Sequence, residues 1–155
     1  MTCYRAVYRE YRADPLPSRS RAGRFHASGA PGAVTYLAAN PGTAWKEVTE
    51  RWGADPNAYW LVEVNVRLAR VADLTDPKTQ AHYHVDEGVL TDANHQRCQR
   101  LAQRLRADGF EGAWTYSRAD RPHGRQLVVF LDALAPGSRA RVLKATPVRD
   151  VPLPK

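Results

Sequence analysis

The stretch GRFHASGAPGAVTYLAANPGTAWKEV, residues 23 to 48, contains three side chains suited to ligand chemistry: Arg24, Tyr36 and Glu47. A guanidinium can bind a phosphate or a carboxylate through two parallel hydrogen bonds. A tyrosine ring can stack on a planar ligand, and a fixed carboxylate can stabilise a developing positive charge. Because the three residues fall in three consecutive segments, the fold decides whether they meet.

Each of these residues also has a purely structural explanation. Arg24 is one of many arginines in the chain, and Tyr36 in a short strand could simply pack against its neighbours. Glu47 lies on the flank of the apolar arc of a predicted helix, where a glutamate is commonly solvated. That arc is predicted to consist of Ala44, Trp45, Val48 and Trp52.

The pattern of apolar and turn residues predicts strands and helices in mixed order. Strands are predicted over 3–8, 34–38, 60–68, 112–116 and 126–134. A helix over 43–52 should stop at Gly53, and a second should run from an N-cap at Thr91 to Gly109. Since there is no regular strand–helix–strand alternation, we expect one α+β domain over 1–155 with a mixed, largely antiparallel sheet.

Two of these elements have a predicted buried face. The strand over 60–68 alternates between apolar and mainly polar residues, which is typical of a half-buried strand. Its buried face should consist of Trp60, Val62, Val64, Val66 and Leu68, with Leu61, Glu63, Asn65 and Arg67 on the other face. The apolar face of the second helix should consist of Cys98, Leu101, Ala102 and Leu105.

The composition is that of a globular domain, with 43% hydrophobic and 25% charged residues in 155. No apolar run approaches the roughly 20 residues of a membrane span, and the N-terminus has no secretory signal, so a cytoplasmic protein is expected. Cys3 and Cys98 should be buried thiols, because their number and spacing suit neither a disulfide framework nor a metal site. We likewise expect His82, His84 and His95 to be surface residues and no metal to be bound.

The net charge is +7, from 23 basic and 16 acidic residues, which suits a nucleic acid, a phosphate-bearing ligand or an acidic partner. The sign alone does not choose among these, since an excess of arginine often reflects genome composition. Arg97, Arg100 and Arg104 form a basic stripe on the second predicted helix. This stripe could be a solvated face or a docking surface for an acidic segment of a partner.

An ordered set of short motifs resembles one known family. The motifs YR, GRF, VTYLA, TAWKEV, ADLTDP and YSR, followed by LVVF, occur between about residues 4 and 132 in the order found in RES-domain proteins. None of these motifs is specific by itself. The resemblance places the family's functional residues at Arg24, Tyr36, Glu47 and Ser117, and a second arginine at Arg5. The chain departs from the family pattern at His26, Tyr116 and Gln126, which leaves the polar contacts around a ligand open.

The resemblance implies a fold similar to that of ADP-ribosyltransferase toxins. It also implies that the chain breaks down NAD as the toxin of a toxin–antitoxin pair, with NAD as substrate and no cofactor. Glu47 and Arg24 would then be catalytic, and Tyr36, Ser117 and Arg5 would bind substrate. The implied partner is a helical, DNA-binding antitoxin, in whose complex the chain could form a homo-oligomer.

Several alternatives stay open at the level of sequence. The acceptor of the ADP-ribose group could be water, phosphate or a protein, in which case the enzyme would be a glycohydrolase, a phosphorylase or an ADP-ribosyltransferase. A basic nucleic-acid-binding module is the alternative from another functional class, but only the net charge favours it. Direct nucleic-acid binding is therefore not expected.

Overall fold

The chain is described by a computed structural model covering residues 1–20, 22–27, 29 and 32–153, apart from the side chains of residues 51 and 52. These residues form one seven-stranded sheet, in the order β4-β5-β6-β2-β1-β3-β7. Strands β4 and β5 are parallel and every other neighbouring pair is antiparallel, which confirms the expected α+β class. The strands are β1 (Thr2–Tyr8), β2 (Val34–Ala38), β3 (Tyr59–Arg67), β4 (Val71–Asp73), β5 (Gly112–Tyr116), β6 (Arg125–Phe130) and β7 (Arg139–Pro147).

In the described part of the chain, four α-helices lie against this sheet: α1 (Pro41–Trp52), α2 (Pro77–Tyr83), α3 (Glu87–Leu90) and α4 (Gln96–Ala107). Single 3-10 turns occupy Arg9–Tyr11, Pro56–Ala58, Leu131–Ala133 and Val148–Asp150. Among the described residues, no helix combines the length and apolar character needed to cross a membrane.

Helix α1 has the ends that its sequence dictates. The Asn40 side chain accepts a hydrogen bond of 2.8 Å from the N–H of Thr43, so it caps the helix, and Pro41 occupies the first turn. At the other end Gly53 takes the left-handed conformation, with φ 57°, which confirms the predicted stop. The helix begins two residues before the predicted range because the cap lies upstream of the Pro-Gly pair. The predicted burial of Trp52 falls on a side chain outside the described part.

The predicted N-cap at Thr91 is wrong. Thr91 instead ends α3, since its N–H and its hydroxyl both donate to the carbonyl of Glu87, at 3.0 and 2.8 Å. Helix α4 begins only at Gln96, after a turn in which side-chain oxygens of Asp92 and Asn94 accept backbone hydrogen bonds. The hydrogen-bonding groups of this threonine are thus used at the C-terminus of the short helix and not at the N-terminus of the next one.

The core lies on both faces of the sheet. Helices α2 to α4 cover one face, where the predicted apolar residues of α4 are all buried: Cys98, Leu101, Ala102 and Leu105. The opposite face buries residues of β1, β2, β3 and β6: Cys3, Val7, Leu37, Val62, Val64, Val66, Leu127 and Val129. Both cysteines are free and buried, as predicted.

Strand β3 is buried on more than its predicted face. Leu61, assigned by alternation to the other face, is only 5% exposed because it packs beneath α1 against Ala38, Ala44 and Val148. Val62 is buried on the predicted face, whereas Trp60 at the strand's start is only partly buried. Burial on both faces of the strand, by α1 on one side and by neighbouring strands and loops on the other, therefore hides the period-two signal on which the prediction depended.

Candidate active site

A cleft of about 670 Å³ opens where β1 and β2 diverge. These strands pair at Tyr4 and Ala38, whereas β1 and β3 pair at seven positions. The space is lined by α1, by residues within 18–20 and 23–26, and by the segments around β5 and α4. Four of the sequence-predicted residues line this cleft: Arg5, Arg24, Tyr36 and Glu47.

Arg5 bridges the gap between the diverging strands. Its guanidinium donates to the carbonyl of Tyr36 at 3.2 Å and to the hydroxyl of Thr35 at 3.4 Å, so it satisfies polar groups at the fork. Burial lowers the pKa of Arg5 to about 10, and the side chain therefore remains positively charged at neutral pH. Arg5 thus places a fixed positive charge in the cleft.

The segment 23–26 forms a tight turn at the rim of the cleft. A β-bridge joins Gly23 to His26, and the amide of Gln99 on α4 donates to the carbonyls of both, at 2.9 and 3.3 Å. Phe25 in this turn is fully buried in the core between the sheet and α4. Because Phe25 is anchored inward, the neighbouring Arg24 is directed into the cleft, where its guanidinium also donates to the carbonyl of Asp92.

Tyr36 holds this turn through its hydroxyl. The Tyr36 oxygen accepts the N–H of Phe25 at 3.0 Å and lies 2.8 Å from His26 Nδ1. His26 Nε2 lies 3.0 Å from the carbonyl oxygen of Ser20, which can only accept, so Nε2 donates there, and the neutral imidazole with this tautomer accepts from Tyr36 at Nδ1. Burial raises the pKa of Tyr36 to about 12, so the hydroxyl keeps the proton it donates.

Gly23 is required by this packing. A Cβ atom at this position would lie 2.5 Å from His26 Cε1 and 2.8 Å from the Tyr36 hydroxyl. Any larger residue would therefore push the imidazole or the phenol out of place. The glycine of the GRF motif thus lets the turn approach Tyr36 closely.

Glu47 lies on α1 and is half-buried at the cleft wall. Ser117, which directly follows β5, is fully buried, and its hydroxyl donates to Glu47 Oε1. The Ser117 oxygen also accepts the N–H of Asp120 at 3.2 Å. The hydroxyl of Ser117 is therefore occupied by protein groups, and Ser117 lies behind Glu47, not in the cleft lining.

The structure can be compared with the sequence expectations for a metal site and for the three histidines. No group of three or more His, Cys, Asp or Glu side chains is arranged to hold a metal ion in the part of the chain that the structure describes. His82 and His84 are exposed, as expected. His95 is half-buried and lines the cleft, so it lies at the surface of the cleft and not on the fully exposed outer surface.

Residues 2–154 of the chain match the family model of the RES domain. The chain belongs to the RES domain family. A curated relative from Mycobacterium tuberculosis (strain ATCC 25618 / H37Rv), named "Probable NAD(+) phosphorylase", is 34% identical over 121 residues. The match covers 72% of this chain and 55% of the relative, so this RES protein spans about half the relative's length.

A solved structure has the same fold. A chain in the crystal structure of the M. tuberculosis MbcT-MbcA toxin–antitoxin complex superimposes with a TM-score of 0.75. The match covers 96% of this RES chain and 85% of the other, at 21% sequence identity. The similarity at this identity shows a shared fold.

The positions where this RES chain departs from the family pattern all lie at the site. His26, Tyr116 and Gln126 line the cleft. His26 supports the Tyr36 hydroxyl, and the Tyr116 hydroxyl accepts a hydrogen bond of 3.0 Å from the side chain of Gln80 on α2. Two of the three departures therefore have protein partners of their own.

Sequence reasoning did not find the residues that support this RES site from behind. Gln99 holds the 23–26 turn, and Asp120 holds the segment after β5 against α1. Gln99 lies on the polar flank of α4, and Asp120 lies in a polar loop among arginines, so nothing in their spacing distinguishes them.

Proposed function

We propose that this RES protein is the toxin of a toxin–antitoxin pair and cleaves the bond between nicotinamide and ribose in NAD. The observation that carries the proposal is a carboxylate, Glu47, held at the wall of a cleft that also contains Arg5 and Arg24. The cleft's volume is within the range of about 300–1,000 Å³ typical of small-molecule sites. The name of the curated relative, "Probable NAD(+) phosphorylase", favours NAD over other anionic ligands.

In this proposal Glu47 stabilises the transition state. When the glycosidic bond breaks, its electron pair leaves with the nicotinamide nitrogen, and positive charge develops on the ribose. A carboxylate fixed near this charge interacts more strongly with the transition state than with the bound substrate, which accelerates the reaction. The hydrogen bond from Ser117 holds the Glu47 carboxylate in place before the substrate binds.

The two arginines bind the anionic part of NAD. Arg24 at the rim has the planar geometry for two hydrogen bonds to a phosphate. Arg5 at the fork adds a positive charge in a partly desolvated position, where its attraction for phosphate is stronger than in water. Holding the diphosphate in this way would present the ribose to Glu47 in a reactive conformation.

Tyr36 provides an aromatic surface in the same cleft, and we propose that its ring packs against the nicotinamide. Its hydroxyl is engaged by Phe25 and His26, so the ring is held in one orientation. Ser117 acts through Glu47 in this account and makes no contact with the substrate.

Mass spectrometry of NAD incubated with the purified protein, with and without phosphate, tests the proposal. We expect free nicotinamide in both cases, together with ADP-ribose in water and ADP-ribose phosphorylated at the anomeric carbon when phosphate is added. ADP-ribose attached to the protein or to an added protein would instead indicate transferase activity. Intact NAD after prolonged incubation with folded protein would overturn the proposal.

We further propose that an antitoxin protein inhibits the enzyme by inserting a chain terminus into the cleft, since an enzyme that depletes NAD and arrests growth must be restrained. A terminal carboxylate could occupy the phosphate position beside Arg24 through the same two hydrogen bonds. The net charge of +7 favours an acidic contact surface on this partner.

Trimming that terminus tests the partner proposal. The full-length product of the adjacent gene should form a tight complex that associates more slowly as salt rises, and the trimmed form should no longer inhibit. Equal inhibition by the trimmed form would overturn insertion into the cleft and leave the proposed reaction standing.

A further inference from the structure

The loop that follows β5 closes on itself next to Glu47. The N–H of Ser117 donates to the carbonyl of Gly124 at 2.8 Å, and the N–H of Gly124 donates to the carbonyl of Asp120 at 2.6 Å. A Cβ atom at Gly124 would lie 2.5 Å from that carbonyl oxygen, so the closure depends on the glycine. The loop therefore has a defined shape, with Asp120 directed at α1.

Asp120 joins this loop to the first turns of α1. Its Oδ2 accepts the hydroxyl proton of Thr43 at 2.6 Å, and its Oδ1 lies 2.7 Å from Lys46 Nζ. Thr43 is fully buried, so this hydrogen bond is shielded from water, and the Asp120 side chain is only 21% exposed. The hydrogen bonds from Lys46 and Thr43 lower the pKa of Asp120, which keeps the carboxylate ionised at neutral pH.

The same residue also contacts the Ser117 hydroxyl from the other side. Its backbone N–H donates to Ser117 Oγ at 3.2 Å, and because that oxygen lone pair is then occupied, the hydroxyl proton is directed to Glu47. Thr43, Lys46 and Glu47 lie at spacings of three and four residues, so they share one face of α1. One aspartate thus fixes both the helix face that bears Glu47 and the serine that binds it.

We propose that Asp120 is a positioning residue that sets the orientation of Glu47 by holding Ser117 and the first turns of α1 in register. This inference rests on the proposed cleavage of NAD, for which it adds a residue outside the cleft. It does not require Asp120 to touch the substrate, since Asp120 acts through Ser117 and Thr43.

The test compares Asp120→Ala with Arg121→Gln in steady-state nicotinamide release. Arg121 is the neighbouring residue and joins the same loop to α3 through an exposed ion pair of 2.9 Å with Glu87, so its loss is a matched control. For Asp120→Ala we expect kcat to fall between about tenfold and a hundredfold, as for a small misplacement of a reacting group. The KM for NAD should stay within about twofold, because the proposed phosphate contacts, Arg5 and Arg24, lie outside this loop. Arg121→Gln should keep the wild-type kcat.

Two further variants separate positioning from general stability. Asp120→Asn retains an acceptor for Thr43 but loses the ion pair with Lys46, so it should recover part of kcat, and it decides the question if Asp120→Ala fails to fold. In a Ser117→Ala background, Asp120→Ala should lower kcat by a smaller factor than it does in the wild type, because both changes act on the same carboxylate.

Three results would overturn the inference. These are a wild-type kcat in a folded Asp120→Ala variant, a rise in KM at constant kcat, and losses that simply multiply in the double variant. A wild-type protein that releases no nicotinamide would overturn the proposed function and this inference with it. An active wild type with an equally active Asp120→Ala variant would overturn this inference alone.

Discussion

Arg24 owes its position to the residues on either side of it. Gly23 lets the turn approach Tyr36, and Phe25 is buried in the core, so the arginine between them must leave the core and enter the cleft. The Gly-Arg-aromatic motif is therefore a family pattern whose glycine and aromatic residue also determine where the arginine side chain lies. Arg24 and Glu47 could be indicated from sequence only through the ordered motifs shared with the family, because neither residue is distinctive by itself.

Arg24→Ala should abolish growth inhibition in a host cell while the protein stays folded. The side chain is half-buried at the rim, where it donates to the carbonyl of exposed Asp92, so its removal should leave the apolar core in place and the loss should come from substrate binding and orientation. Arg97→Ala, which removes an exposed arginine of α4, is the matched control and should remain toxic. Growth inhibition by Arg24→Ala at equal expression would show that Arg24 has been assigned wrongly.

Among the elements, the strands and helices with long apolar patterns were predicted and the short or polar ones were not. Strand β4 has three residues and α3 has four, which is too short for a periodic signal. Strand β7 carries many charged side chains because it lies at the edge of the sheet, where one side faces solvent. The cleft itself depends on the pairing of β1 and β2 at Tyr4 and Ala38. These residues are far apart in the chain, so local sequence patterns do not predict their contact.

Glu111 links two connecting segments, the one between β3 and β4 and the one between β6 and β7. Its side chain is 2% exposed and accepts the N–H groups of Ala69 and Ala135, each at 2.6 Å, and of Arg70 at 3.2 Å. Burial raises the pKa of this carboxyl, but the hydrogen bonds, the largest of them from Ser138, outweigh it and the pKa is lowered. Glu111 is thus ionised in the folded protein and stabilises it.

Glu111→Gln should lower the free energy of unfolding by roughly 2–3 kcal/mol at pH 7, because an amide presents N–H groups where only acceptors fit. Since the folded-state pKa is lowered, the wild-type advantage is present above the pKa of an unfolded glutamate, about 4.3, and is lost as pH falls through the folded value. Urea unfolding of both proteins between pH 7 and pH 3 measures this. As a control, Glu87→Gln at an exposed ion pair should lower the free energy of unfolding by less than about 1 kcal/mol. A difference that does not narrow towards low pH would show that the charge of Glu111 is not the cause.

At the scale of the whole molecule, the net charge of +7 and the cleft act together. A positive protein attracts anionic ligands over a distance, and the cleft gathers Arg5, Arg24 and the exposed Arg118 at one place. The class of fold followed from the order of the elements, while the assembly of the site depended on loops that only the folded chain brings together. We propose that this assembly cleaves NAD and that Glu47 is the group that accelerates the reaction.

The most direct measurement is a time course of nicotinamide release from NAD by the purified wild type, Glu47→Gln and Glu50→Gln. Glu50 lies on the same helix and lines the same cleft, but it is exposed, so it controls for loss of a negative charge there. We expect release by the wild type and by Glu50→Gln, and a loss of at least about a hundredfold in Glu47→Gln with an unchanged melting temperature. Equal release by Glu47→Gln and the wild type, or no release by a folded wild type, would contradict this account.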